Sequence, residues 1–140
     1  MIEFIERIPT PADYGVLFET TGWNEIYHAS PEDLIRAASN SWCVLSAYDG
    51  SRLVGFGRVL TDQVLHAMIY ELIVHPDYQN QGIGGGILER LVSRCREAGI
   101  HDIQLFCARG KRPFYEKRGF LARPNDAPGM YYGPPLPEGF

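Results

Sequence analysis

The period of the apolar positions changes several times along the chain, and each change marks an element. From Ile2 to Arg7 apolar and polar residues alternate as in a short strand. Thr10-Pro11-Ala12-Asp13 then offers an N-cap, a proline at the first helical position and an acid in the first turn. The helix this predicts runs to about Thr21, with Tyr14, Leu17 and Phe18 on one face and Gly22 placed to stop it. Ser30-Pro31-Glu32-Asp33 repeats the start pattern, and Leu34, Ile35, Ala37 and Ala38 form the apolar stripe of a second helix.

From Trp42 the period becomes two, and Asp49-Gly50 lies between two apolar runs as a tight hairpin turn does, which predicts strands over 42–48 and 52–61. A third strand over 67–74 ends at His75-Pro76-Asp77, because proline cannot continue a ladder. Residues 82–98 read as a helix with Gly84, Ile87, Leu88, Leu91, Cys95 and Ala98 on one side and Glu89, Arg90, Arg94 and Glu97 on the other. Ile103, Leu105 and Cys107 begin another strand, 113–118 form a short helix closed by Gly119, and Phe120 opens a final strand or hairpin. Residues 134–140, rich in proline and glycine, are expected to be a loose tail. A strand, helix, strand crossover added to a meander implies an α/β fold: a mixed sheet covered by helices, with the glycine-rich turn at the mouth of the crossover helix.

Length and composition narrow this further. A chain of 140 residues has room for one domain, 1–140, and no window approaches the run of about 18 apolar residues that a membrane span needs. The first residues carry acids where a signal peptide carries bases, so a cytoplasmic protein is expected. Cys43, Cys95 and Cys107 are widely and irregularly spaced, which suggests neither a disulfide framework nor a zinc site. The histidines, His28, His66, His75 and His101, lack the paired spacing of zinc ligands, so no metal is expected. A formal net charge of −4 gives no general attraction to nucleic acid and mildly favours a cationic substrate such as an amine.

The turn Gln79-Asn80-Gln81-Gly82-Ile83-Gly84-Gly85-Gly86 carries a strand into a helix whose first residues are nearly all glycine. Free N–H groups at a helix start, the positive end of its dipole and missing side chains together let a pyrophosphate approach the backbone. The simpler alternative is that the glycines allow close packing of helix on sheet. A dinucleotide fingerprint needs a glycine three places after Gly84, where Ile87 stands, and a phosphate loop needs Gly-Lys-Ser/Thr, whereas Gly110-Lys111 is followed by Arg112.

Gln79-x-x-Gly82-x-Gly84 matches the Gln/Arg-x-x-Gly-x-Gly/Ala motif of the GNAT N-acetyltransferases, and the chain resembles that family elsewhere. Residues 54–62 and the segment Glu71-Leu72-Ile73-Val74-His75-Pro76 look like the strands before the motif, and Phe114-Tyr115-Glu116-Lys117-Arg118-Gly119-Phe120 like the segment after it. The resemblance implies a mixed, mostly antiparallel sheet flanked by helices, and acetyl-CoA as co-substrate. It implies that Gln79, Asn80, Gln81, Gly82, Ile83, Gly84 and Gly85 hold the CoA pyrophosphate through backbone N–H groups. Leu72, Ile73 and Val74 would bond the pantetheine arm, an arm that pairs with a strand edge. Arg109, Lys111 and Arg112 are candidates for the remaining CoA phosphate, against the simpler reading of a solvated basic face. The chain departs from the family at Ala108 and Lys111, where many members carry asparagine and alanine.

Acetyl transfer to an amine needs a route for the ammonium proton, since an alkylammonium titrates near 10.4 as lysine does. Glu71, a carboxylate in an otherwise apolar strand at a place where the family commonly has an acid acting through water, is the candidate base; the alternative is a structural acid paired with an arginine such as Arg58. By resemblance Tyr115 is the general acid that protonates the departing thiolate, the alternative being a core aromatic beside Phe114 and Phe120. Cys107 has no adjacent base, so direct attack is expected without an acetyl-enzyme. Trp23, Tyr27, Met130, Tyr131 and Tyr132 are candidates for an aromatic acceptor pocket. The function these residues point to is acetylation of a primary amine of a small molecule by a possible homodimer. The alternatives are a CoA-binding module without turnover and a peptide or protein N-acetyltransferase.

Overall fold

A computed structural model describes residues 1–138 and 140. The chain forms two compact units, Met1–Leu105 and Phe106–Phe140.

The first unit holds five strands, β1 (Ile2–Ile5), β2 (Cys43–Asp49), β3 (Arg52–Thr61), β4 (His66–Val74) and β5 (Asp102–Gln104), in one sheet in that order. β1 to β4 pair antiparallel, and β5 lies parallel to β4. The sheet is therefore mixed and mostly antiparallel. Helices α1 (Pro11–Glu19), α2 (Asn24–Tyr27), α3 (Pro31–Ser39) and α4 (Ile83–Glu97) complete the unit.

Local chemistry starts the helices where the pattern places them. The Thr10 hydroxyl accepts the Asp13 N–H at 3.1 Å, and Ser30 and Asp33 form a reciprocal capping box. Both helices carry proline in the first turn. At the β3–β4 hairpin the Asp62 carboxylate accepts the N–H groups of Val64, Leu65 and His66, which replaces ladder bonds lost at the turn.

The sheet is covered on both sides. Tyr14 of α1 stacks on Phe56 of β3 with ring centroids 4.1 Å apart, and Leu17, Phe18, Leu34, Ala38 and Ile73 join that core. The neighbours of Phe56 point the other way. A Cβ on Gly55 or Gly57 would stand 2.8 or 2.9 Å from Ile87 of α4, so their bare backbone lets α4 lie close on the opposite face. Six of the seven residues of β2 are buried, as expected of a strand sandwiched between helical layers.

The first helix stops at Glu19, earlier than its pattern predicts, and Gly22 at φ +75° is followed by the additional short helix α2. β5 ends at Gln104 and does not continue to Cys107.

In the second unit α5 (Arg112–Glu116) is the sole helix or strand among the described residues. Tyr115 packs edge-on against Phe114 and Phe120 at 5.0 and 5.9 Å, and the Phe120 N–H donates to the Tyr115 carbonyl at 3.2 Å to close the helix. Among the described residues the final strand or hairpin expected from Phe120 onward is absent. Pro124 and Pro128 remove ladder donors there, and the chain turns instead, with the Ala127 N–H donating to the Pro124 carbonyl and Arg123 donating to the Ala127 carbonyl. Of the tail expected to be loose over 134–140, Gly139 lies outside the described residues. Leu136 is tied by its N–H to the Tyr131 hydroxyl at 3.1 Å, and the Phe140 carbonyl accepts from Arg109 at 3.2 Å.

Candidate functional site

Between β4 and α4 the chain makes a 3-10 turn over Pro76–Tyr78, started by His75, whose Nδ1 accepts the Asp77 N–H at 3.1 Å. Gln79 then folds back so that its side-chain amide donates to the Val74 carbonyl at 3.0 Å. Asn80 at φ +63° and Gly82 at φ +84° bend the backbone into the helix. The first bond of α4 runs from the Gly86 N–H to the Gly82 carbonyl at 3.0 Å. The N–H groups of Ile83, Gly84 and Gly85 therefore precede the ladder, and no side chain caps them.

The glycines of this turn do different things. A Cβ on Gly82 would meet nothing within 4 Å, so the space beside it is open, whereas one on Gly86 would stand 2.7 Å from the ring of Phe4. Gly86 thus serves packing, and the earlier part of the turn leaves room for a ligand. Three free N–H groups, a helix of 15 residues behind them and no acid in its first turn suit a pyrophosphate. Asn80, Gln81 and Gly82 are exposed, Gly84 is half-buried, and Ile83 and Gly85 are buried beneath them.

The neighbouring strand offers a free edge. β5 pairs with β4 only over His66, Ala67 and Met68, so from Ile69 to Val74 that side of β4 has no strand beside it among the described residues. The His75 N–H donates to the Val54 carbonyl at 2.8 Å, toward β3. By the alternation of the ladder Ile73 also turns its backbone to β3, while Val74 and Leu72 turn theirs to the open edge. These are N–H and C=O groups placed to pair with an extended ligand arm.

A bulge interrupts β4 just before this stretch. Phe56 pairs with Ile73 and Arg58 with Tyr70, so Glu71 and Leu72 together face Gly57, and Glu71 sits at φ +47°. The Glu71 carboxylate is forked by Arg58, at 2.6 Å to Nε and 3.4 Å to Nη2. Tyr14 lies near the pair; burial, and after it the charge of Glu71, pushes its hydroxyl well above the ordinary phenol range. The helical spacing of Tyr14 places it on the apolar face of α1 and carries no sign of a neighbour on a distant strand.

Tyr115 belongs to the second unit, half-buried on α5. Burial, with the Cys107 thiol nearby as a lesser cause, pushes its hydroxyl up to about 12. Arg109, Lys111 and Arg112 are exposed, and Arg112 pairs with Glu116 at 3.4 Å. Of the candidate acceptor aromatics, Met130, Tyr131 and Tyr132 are exposed in the second unit. In the first, Trp23 packs edge-on against Phe18 and Tyr27 is exposed.

A sequence profile of the acetyltransferase (GNAT) family matches residues 4–120. An uncharacterized N-acetyltransferase, ycf52, of Pyropia yezoensis is 34% identical over 102 residues, which cover 70% of this chain and 59% of that protein. Serotonin N-acetyltransferase 2, chloroplastic, of Oryza sativa subsp. japonica is 31% identical over 132 residues, covering 91% of this chain and 66% of that one. The chain thus spans less than two thirds of the length of each. The crystal structure of SA2161, a probable acetyltransferase of meticillin-resistant Staphylococcus aureus, superposes with a TM-score of 0.83 at 26% identity, covering 95% of this chain and 99% of that one. Among the described residues no helix is long and apolar enough to cross a membrane.

Proposed function

The chain belongs to the GNAT acetyltransferase family, and on that premise we propose that it transfers acetyl from acetyl-CoA directly to a primary amine of a small molecule. The observation that carries this reading is the meeting of an open β4 edge at Leu72 and Val74 with the uncapped, glycine-rich start of α4. Those are the two backbone features a cofactor with an amide-bearing arm and a pyrophosphate requires. Gln79 through Gly85 would hold the pyrophosphate. The pantetheine arm would lie along Leu72, Ile73 and Val74, with Leu72 and Val74 supplying the outward backbone groups. Bound acetyl-CoA supplies the electrophilic thioester carbonyl.

Glu71 takes the proton of the entering ammonium through water, and its carboxylate lies at the bulge where β4 opens. A backbone N–H of the open edge polarises the carbonyl as charge develops on its oxygen. The amine nitrogen forms the new C–N bond and sheds its second proton to water, the C–S bond breaks, and by the family resemblance Tyr115 gives a proton to the departing sulfur and regains one from solvent. A phenol held at about 12 keeps that proton at neutral pH. Cys107 takes no part. The three cysteines are free, which suits a reducing compartment such as the cytoplasm.

The test combines CoA titration calorimetry with thiol release from acetyl-CoA across polyamines, arylalkylamines, amino acids, aminoglycosides and peptides. Turnover with a small amine supports the reading. Turnover confined to peptides would make the protein a peptide N-acetyltransferase. CoA binding without turnover would make it a sensing module, the outcome toward which Ala108, in place of the family's asparagine, leans.

A further inference from the structure

We propose that Arg58 is a positioning residue for the transfer reaction: it fixes the Glu71 carboxylate in one orientation and ties it to the end of α3. The inference rests on the reading of Glu71 as the base.

Both side chains are largely withdrawn from water, Arg58 at 14% and Glu71 at 19% exposure. Charges so placed are costly singly and tolerated as a well-bonded pair. The guanidinium uses all three nitrogens. Nε donates to Glu71 Oε2 at 2.6 Å and Nη2 to Oε1 at 3.4 Å, while Nη1 turns the other way, to the Ser41 hydroxyl at 3.2 Å and the Ala37 carbonyl at 3.5 Å. The fork holds both carboxylate oxygens, so the carboxylate cannot rotate freely, and the far nitrogen is anchored where α3 ends.

The bulge makes such a device necessary. Glu71 at φ +47° leaves the regular alternation of β4, so the pleat does not aim its side chain. Arg58 pairs in register with Tyr70, the residue before it, and its guanidinium also lies 5.6 Å from the Tyr70 ring centroid. A planar fork bridges carboxylate and helix end together; a lysine ammonium is a single point and cannot do both. The groups around Glu71 are thus Arg58 from β3, Tyr70 from β4 and Tyr14 from α1, with Ser41 beyond the guanidinium. Burial keeps the Tyr14 phenol neutral, so no second anion competes for the arginine.

The experiment uses the full chain with acetyl-CoA and tryptamine, spermidine and a tetrapeptide with a free N-terminus as acceptors, with kcat and KM taken on the acceptor turned over fastest. The expected result for Arg58→Met is a loss in kcat of about 10- to 100-fold, with the KM for acetyl-CoA changed less than about 3-fold. In a Glu71→Gln background the same substitution should cost less than about 2-fold, because the group it positions is gone. Arg58→Lys and Ser41→Ala should each lose part of kcat, again only while Glu71 is present, and they carry the test should Arg58→Met fail to fold. Losses of equal size in both backgrounds, or losses in KM alone, overturn the proposal while leaving the acetyltransferase reading standing. A wild-type protein that binds CoA yet turns over none of the acceptors overturns that reading, and the role of Arg58 with it.

Discussion

Replacing Gly84 by aspartate separates stability from ligand binding, because the two should move in opposite directions. Gly84 is the second residue of α4, a helix with no acid in its first turn and no side-chain cap. A carboxylate there meets the positive end of the helix dipole, worth about 0.3–1 kcal/mol, and removing glycine from the helix adds a few tenths more. The melting temperature should hold or rise by a few degrees. CoA should fare differently. A carboxylate about 5 Å from one phosphate charge, at an effective dielectric constant of about 20, is repelled by about 3 kcal/mol, more than about 100-fold in Kd. Gly84→Asn, of nearly the same shape without the charge, should lose at least about 10-fold less affinity than Gly84→Asp at 0.15 M salt, and high salt should narrow the gap. Calorimetric CoA titration and thermal melting of the three proteins decide the matter. An unchanged Kd, or equal losses for Asp and Asn, would refute the placement of the pyrophosphate on this helix start, and a melting temperature lowered by many degrees would refute the dipole argument.

Tyr115→Phe should lower kcat about 10- to 1000-fold with CoA affinity retained, and steady-state kinetics with a reactive acceptor will read it. With the hydroxyl held at about 12, the wild-type acid keeps its proton throughout the ordinary assay range, so kcat should show no alkaline decline from this group below about pH 11. Tyr14→Phe tests the buried phenol through stability: its folded value lies above its unfolded value near 10, so its contribution is complete below that pH and is lost as pH rises. Over the first unit or two above pH 10 the wild type should lose about 1.4 kcal/mol per pH unit more than Tyr14→Phe, and equal slopes in urea titrations would count against it. Ile87→Ala removes a fully buried side chain that fills the space beside Gly55 and Gly57, and urea unfolding should show a loss of about 2–5 kcal/mol with CoA affinity in the folded protein little changed.

Most of the element order was legible from periodicity and caps. Thr10 and Ser30, each followed by proline and an acid, start α1 and α3 because a cap acts on N–H groups two or three residues away, within the reach of sequence reading. The strands β2, β3 and β4 follow from apolar runs bounded by Asp49-Gly50 and His75-Pro76, although β2 is buried almost throughout and does not alternate, and the glycine turn was visible as a run of residues that a helix start tolerates only with a reason. The α/β class and the family motif come from the same local signals.

What the sequence left open depends on registry between distant segments. Nothing in Tyr-Glu-Leu-Ile announces that Glu71 bulges at positive φ, since the extra residue exists only relative to Gly57 on the opposite strand. Whether Glu71 stood alone or paired was undecidable until the sheet set Arg58 beside it and the end of α3 set Ser41 beyond. Tyr14 follows the same rule, a stripe residue whose nearness to Glu71 and Arg58 comes from packing of α1 on the sheet. The short β5 leaves the edge of β4 open from Ile69 onward, and the strand expected after Phe120 gives way to a proline turn. Caps and periods are properties of neighbours in the chain, whereas edges, bulges and ion pairs belong to neighbours in space, and only the folded backbone decides which residues those are.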